Sequence, residues 1–278
     1  MTLAGAVETT EASAPPRARG AVRLSVKPLG RQTALDGLRV SGSLKLVFPR
    51  PVGDGLDAVL VNTAGGVTGG DRFTAELRAE TGTALTLTTQ AAERAYRALG
   101  DDPGRIATKI AIEPDARLAW LPQETILFDG ANLARSLVAD LAGTARFLLV
   151  EPVLFGRRLM GEELRRARFT DRVEIRRDGR TLWLDATRLA GDIAATLDRP
   201  AIAAGGRAAA LVVYAAPDAE PMRDRLRALL PATAGASLAA PDLLVARFVA
   251  ADGYALRETL VPAIKLLNRN EIPRPWML

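Results

Sequence analysis

Residues 62–80 read NTAGGVTGGDRFTAELRAE. Four glycines fill six positions (Gly65, Gly66, Gly69 and Gly70), Asp71 and Arg72 follow, and Phe73, Ala75, Leu77 and Ala79 then alternate with other residues. A phosphate-binding P-loop needs a lysine and a hydroxyl after its last glycine, and a dinucleotide fingerprint needs a helix there. Here an aspartate follows, which repels phosphate, and then a strand. The stretch reads as a tight backbone crossing that feeds a half-buried β-strand, with glycine permitting positive φ and close approach of another segment. Asp71 and Arg72 are left over, because charges at a crowded corner need partners.

The same period of two extends outward in both directions. Leu38, Val40, Leu44, Leu46 and Phe48 alternate with Arg39, Ser41, Ser43 and Lys45, and the pattern returns in LTLTTQ, IATKIAI and LARSLVADL. In VEIRRDGRTLWLDA, residues 173–186, Asp178-Gly179 suits a two-residue type I′ turn. That turn sets Ile175 opposite Leu182 and Val173 opposite Leu184. Past residue 200 two helices enter. One starts near Pro221 with a stripe of Met222, Leu226, Leu229 and Leu230; the other follows Gly253 with Leu256, Leu260, Ile264 and Leu267. Pro262 is expected to kink or shorten the second. No residue-level repeat of 20 to 50 positions is evident. Residues 1–20 lack periodicity and read as a disordered tail. Residues 21–278 then form a single domain, with a strand-rich body over 21–200 and a mixed α/β part over 201–278.

Composition narrows the chemistry. The 278 residues contain neither cysteine nor histidine, which removes thiolate nucleophiles, Ser-His-Asp triads and ordinary zinc sites. The net charge is +5, from 37 basic and 32 acidic residues that are interleaved along the chain, so no nucleic-acid stripe is expected. The first twenty residues lack the pattern of a signal peptide, and the longest apolar candidate is broken by Gly205, Gly206 and Arg207. A cytoplasmic protein with no membrane contact is the expectation.

A second unusual segment, WLPQETILFDGA at residues 120–131, embeds Glu124 and Asp129 among apolar residues. Two such acids could serve as a glycosidase pair in a β-rich carbohydrate-active enzyme. They could equally tie down an irregular strand and a turn.

GGVTGGD, LTLTTQAAERAYRA, WLPQETILFDGA, FGRRLMGE and the closing PRPW occur in this order, and together they resemble the urease accessory protein UreD family, also called UreH. The resemblance covers residues 21–278. It implies a mainly β fold with β-helix-like winding of many short strands and a C-terminal part containing two α-helices. It also implies a non-enzymatic maturation chaperone that binds apo-urease and UreF, and through UreF the GTPase UreG, which brings nickel. No tightly bound cofactor is expected, only Ni2+ in transit through a polar passage. Without imidazole or thiolate, oxygen donors would hold that ion weakly and release it. Within the family-like blocks, Asp71, Thr88, Thr89, Gln90, Glu124 and Asp129 are candidates for the passage wall, with Glu151, Glu162 and Asp185 as further candidates. Each could instead be a buried hydrogen-bond anchor. Arg157, Arg158, Met160, Arg274, Trp276 and Met277 are candidate partner contacts.

Overall fold

The computed structural model describes residues 16–50 and 53–277. The chain opens with an antiparallel hairpin, β1 (Arg19–Leu29) and β2 (Gln32–Gly42), and crosses to a second sheet at β3 (Leu44–Val47). It then winds back and forth between the two sheets. The first coil is β4 (Leu56–Asn62) and β5 (Arg72–Ala79). The second is β6 (Ala84–Thr89), the short β7 (Glu93–Ala95) and β8 (Gly104–Ile112). The third is β9 (Arg117–Leu121), the short β10 (Thr125–Leu127) and β11 (Asn132–Leu141). The fourth is β12 (Arg146–Phe155) and β13 (Ala167–Arg177), and β14 (Arg180–Gly191) folds back on β13. β4, β6, β9 and β12 stack in parallel in one sheet, and β5, β8, β11 and β13 do so in the other. The chain is thus mostly β, with stacked, solenoid-like coils.

After α1 (Ile193–Asp198), β15 (Ala208–Ala215) joins the β12 edge. α2 (Ala219–Arg227), β16 (Ala234–Ala240), β17 (Leu243–Ala250) and α3 (Gly253–Leu267) complete the chain. The seven-stranded sheet runs β14-β13-β11-β8-β5-β1-β2, and the larger sheet runs β16-β17-β15-β12-β9-β6-β4-β3, with β7 and β10 beside β12.

Period-two alternation builds the space between the sheets. Ala58, Leu87, Trp120 and Leu149 align across the larger sheet, and Leu24, Leu77, Ile110, Ala139 and Ile175 align across the smaller one. Both rows are buried in one continuous core, as parallel strands covered on a face require. A second core lies behind the larger sheet, where Leu121, Leu148, Val150, Val212 and Leu244 meet α2 and α3. The coils recur roughly every thirty residues, as solenoid repeats do. Only the inward-outward phase repeats, not residue identity, so no repeat is visible in the letters.

Several sequence expectations are corrected. The alternating run 38–48 is two strands, because Gly42 at φ +59° ends β2 and Leu44 begins β3 in the other sheet. Leu38 and Val40 are exposed on the edge strand β2, while Leu44 is buried. The turn at Asp178 (φ 49°) and Gly179 (φ 77°) forms as expected. A bulge between Ile175 and Arg176 shifts the register, so Ile175 faces Trp183 and Val173 faces Asp185 rather than Leu182 and Leu184. The body starts earlier than residue 21, since Arg19 and Gly20 already belong to β1; residues 1–15 of the expected tail lie outside the described residues.

α2 and α3 occupy the expected stretches, and α1 is an additional short helix capped by Asp192, whose Oδ1 accepts from the Ala195 amide. In α2, Leu226 is buried, but Leu229 is exposed beyond its end. In α3 all four stripe residues are buried. The helix runs on past Pro262 to Leu267. Pro262 and Glu258, whose carbonyl loses its intrahelical donor, are both exposed, so the missing bond falls on the solvent side of the helix. Among the described residues no helix is long and apolar enough to cross a membrane.

The outer face of β13 carries a pH-dependent clamp. Glu174 accepts from Arg176 Nε and Arg172 Nη1, each at 2.7 Å, and from Thr181 Oγ1 at 3.1 Å. These bonds hold its carboxyl down to about 2, from an ordinary value of 4.5. The unfolded chain therefore takes up this proton first. The clamp's contribution is complete above the ordinary glutamate range and is lost as pH falls towards about 2. Urea unfolding followed across that acid range should show Glu174→Gln losing less stability on acidification than the wild type.

A cavity between the sheets as candidate functional site

Arg135 stands in β11 on the phase shared by Leu133, Leu137, Ala139 and Leu141, which all point into the core. The register of the coils places Ile106 on one side of it and Asp171 on the other. Its Nη2 lies 2.5 Å from Asp171 Oδ2, and its Nη1 lies 2.7 Å from Glu151 Oε2 and 2.9 Å from Thr125 Oγ1. Glu151 Oε1 accepts from Trp120 Nε1 at 2.8 Å. Burial works against a charge on Arg135, but Asp171 and Glu151 outweigh it and hold the guanidinium firmly protonated. Burial, helped by the Asp171 charge, pushes Glu151 up even though Arg135 opposes the shift. One guanidinium is shared by two carboxylates.

This cluster forms one wall of a cavity of about 80 Å³. Thr89, Glu93, Thr108 and Gln123 complete the polar lining, against Leu60, Phe73, Trp120 and Leu137. Gln123 Nε2 and Arg135 Nε are buried there without protein partners. Around these two donors the accessible lining is mainly apolar. Glu93 takes hydrogen bonds from Asn62 Nδ2 and from the Arg94 amide, at 3.0 and 3.1 Å. Burial raises its pKa over these opposing contacts.

A cleft of about 190 Å³ adjoins the cavity, and the two share Leu44, Leu60, Thr89 and Glu93 in their walls. Gly65, Gly66 and Gln90 also line it. The glycine loop is here a backbone crossing: the Val67 amide donates to Arg94 O and the Tyr96 amide to Val67 O, both at 2.8 Å. A Cβ at Gly66 would stand 2.4 Å from the Tyr96 ring, so only glycine permits this approach.

Of the expected passage residues, the structure brings together Thr89, Gln90 and Glu151. Thr89 Oγ1 also accepts from the Gln123 amide at 2.9 Å. The others are placed elsewhere. Asp71 accepts from the amides of Ala18 and Thr68, at 2.7 and 2.8 Å, and so ties β1 to the glycine loop. Thr88 is buried on the opposite side of the larger sheet, beside a groove under the C-terminal segment. Glu124 is held by Arg257 of α3, with Nε at 2.5 Å and Nη2 at 3.1 Å. Asp129 accepts from the amides of Arg165 and Arg166, at 2.8 and 2.9 Å. Glu162 pairs with Arg157 and Asp185 with Arg247. With Glu124 closed by a guanidinium and Asp129 by backbone amides, the two do not form a glycosidase pair.

The expected partner contacts divide similarly. Arg157 lies over the Phe128 ring at 4.2 Å, while Arg158, Met160, Arg274 and Met277 are exposed. Trp276 is not a surface residue. It is 3% exposed, and its Nε1 donates to Leu121 O at 2.9 Å.

Arg135, Asp171, Glu93 and Gln123 were not anticipated. For Arg135 and Asp171 the signal was present as a charge on the inward phase of an otherwise apolar alternation, in NLARSLVADL and in FTDRVEI. Among the described residues no three acidic side chains converge as a group that could hold a metal ion.

The model of the UreD urease accessory protein family matches residues 18–277. A urease accessory protein UreD of Ruegeria pomeroyi is 53% identical over 92% of this chain and 100% of its own length. Its counterpart in Roseobacter denitrificans is 51% identical over 95% and 96%. That of Sinorhizobium medicae is 46% identical over 98% and 100%. A family match along nearly the whole described chain, with relatives similar throughout, sets aside the carbohydrate-active reading: the chain belongs to the UreD urease accessory protein family, which serves urease maturation and is not an enzyme.

Proposed function

We propose that the protein docks in the cytoplasm on apo-urease together with UreF, and through UreF with UreG, and passes Ni2+ inward along the cleft and cavity. The observation that carries this reading is a series of polar side chains running from the cleft into the cavity along an otherwise mainly apolar wall. Gln90 and Thr89 lead from the cleft to Glu93, and from there to Thr108 and Gln123. Oxygen donors of this kind leave a nickel ion partly hydrated and exchangeable, as a carrier requires and a store does not. The half-buried Glu93 carboxyl, with its raised pKa, is stabilised as an anion when a dication arrives. Arg135 repels the ion and keeps it on the Thr89–Glu93 side. Arg157, Arg158, Met160, Arg274 and Met277 supply exposed contacts for the partner proteins.

Glu93→Gln tests the passage, because the amide keeps the shape and removes the charge. In cells expressing urease with all accessory proteins, this variant should leave urease with severalfold less nickel while the variant chain still co-purifies with UreF. Normal nickel content in that experiment would exclude Glu93 from the route.

A further inference from the structure

Arg19, Arg72 and Arg105 hold matched positions on three neighbouring parallel strands, β1, β5 and β8. All three side chains are exposed on the outer face of the smaller sheet. Neighbouring strands lie about 4.8 Å apart, so three guanidiniums stand in a row that like-charge repulsion disfavours. Arg105 is answered by Asp102 at 2.5 Å. Among the described residues Arg19 and Arg72 have no hydrogen-bonded or ion-paired side-chain partner.

Arg17 extends the row. The bond from the Ala18 amide to Asp71 fixes the backbone between Arg17 and Arg19. Gly70, at φ +86°, leaves the space that Arg17 occupies, since a Cβ there would lie 3.1 Å from Arg17 Cδ. The glycine loop and Asp71 therefore do more than turn the chain: they set three guanidiniums on one surface. The hydrogen bond from Arg105, reinforced by the charges of Arg105, Arg72 and Arg17, holds the Asp102 carboxyl below the ordinary range. The loop that carries Asp102 also presents Leu99, 76% exposed.

Asp102 answers only part of this charge, since it is already paired with Arg105, and an excess of positive charge in a row is not placed for stability. Small anions are bound in concave sites, whereas this row lies on the open face of a sheet. Arginines beside an exposed apolar side chain have the composition of a protein-protein contact. We infer that Arg17, Arg19, Arg72 and Leu99 form a docking patch for a carboxylate-rich face of a protein partner. The inference rests on the reading of the chain as a docking protein and is independent of the cavity.

The test uses the full chain and a fluorescent poly-glutamate peptide, with neither nickel nor urease present. Saturable binding that weakens with added salt is expected. The double variant Arg19→Glu/Arg72→Glu should lose roughly tenfold or more in affinity, since charge reversal at two positions replaces attraction by repulsion. Arg72→Gln should keep or raise the thermal midpoint, because it removes a like charge from the row. Equal peptide binding by the double variant would overturn the patch. So would displacement of the peptide by equimolar inorganic phosphate or duplex DNA, or a lowered midpoint in Arg72→Gln. Nickel transfer is not measured, so failure here and failure of the passage are separable.

Discussion

Arg135→Ala is expected to destabilise the fold by about 3–5 kcal/mol, read as a lower urea midpoint with an unchanged slope. The residue sits on an inward phase of β11 and is 9% exposed at its side chain, like Glu151 beside it. Its removal strands two carboxylates in a wall built for three charges. The loss should shrink on acidification. Burial already raises Glu151, and without the guanidinium its folded pKa rises further above the unfolded value. Stability of the variant is then greatest below the ordinary glutamate range and declines as pH rises through the raised pKa. A triple replacement, Arg135→Met with Glu151→Gln and Asp171→Leu, should recover most of the loss, because uncharged side chains of similar size need no ion partner and the Gln amide oxygen still accepts from Trp120 Nε1. A wild-type urea midpoint for Arg135→Ala would show that the carboxylates do not depend on it.

Trp276→Ala is expected to cost about 3–5 kcal/mol, the range for emptying a buried aromatic site. The indole fills the second core, and its Nε1 satisfies the Leu121 carbonyl in the middle of the larger sheet. Arg257 lies 5.2 Å from the ring centroid and carries Glu124 on its other side, so the loss reaches into α3. Met277→Ala, at a residue 63% exposed, should leave the melting temperature unchanged. Any effect of Met277 on capture by UreF is then a contact effect, while an effect of Trp276 is a folding effect. Thermal melts of the two variants separate them, and an unchanged midpoint for Trp276→Ala would refute the anchor.

Local pattern carried much of the architecture. RFTAELRA alternates as written, with Phe73, Ala75, Leu77 and Ala79 all buried. The α3 stripe was equally plain, because four spaced leucines and isoleucines have one physical use. What the letters hid was anything that depends on neighbours distant in sequence. Gly42 looks like one residue of a long strand until the crossing between sheets is seen. The bulge after Ile175 turns Asp185 rather than Leu184 towards Val173, and no local preference announces it. The site followed the same division. Glu151, Thr89 and Gln90 lay in conspicuous segments, but Glu124 and Asp129 were equally conspicuous and serve as anchors. Arg257, which closes Glu124, is 133 positions away. Arg135 and Asp171 broke the alternation openly, and that violation was the stronger signal.

The order of elements along the chain has a consequence for biosynthesis. Every strand of the larger sheet precedes α3 and Trp276, so Leu121, Leu148 and Val150 wait uncovered until residues 253–276 have left the ribosome. The coils also join strands through long crossovers, which slows folding. A nascent chain therefore spends its slowest period with its stickiest wall open, and overproduction without a holdase should drive it into inclusion bodies before its own last helix can close over it.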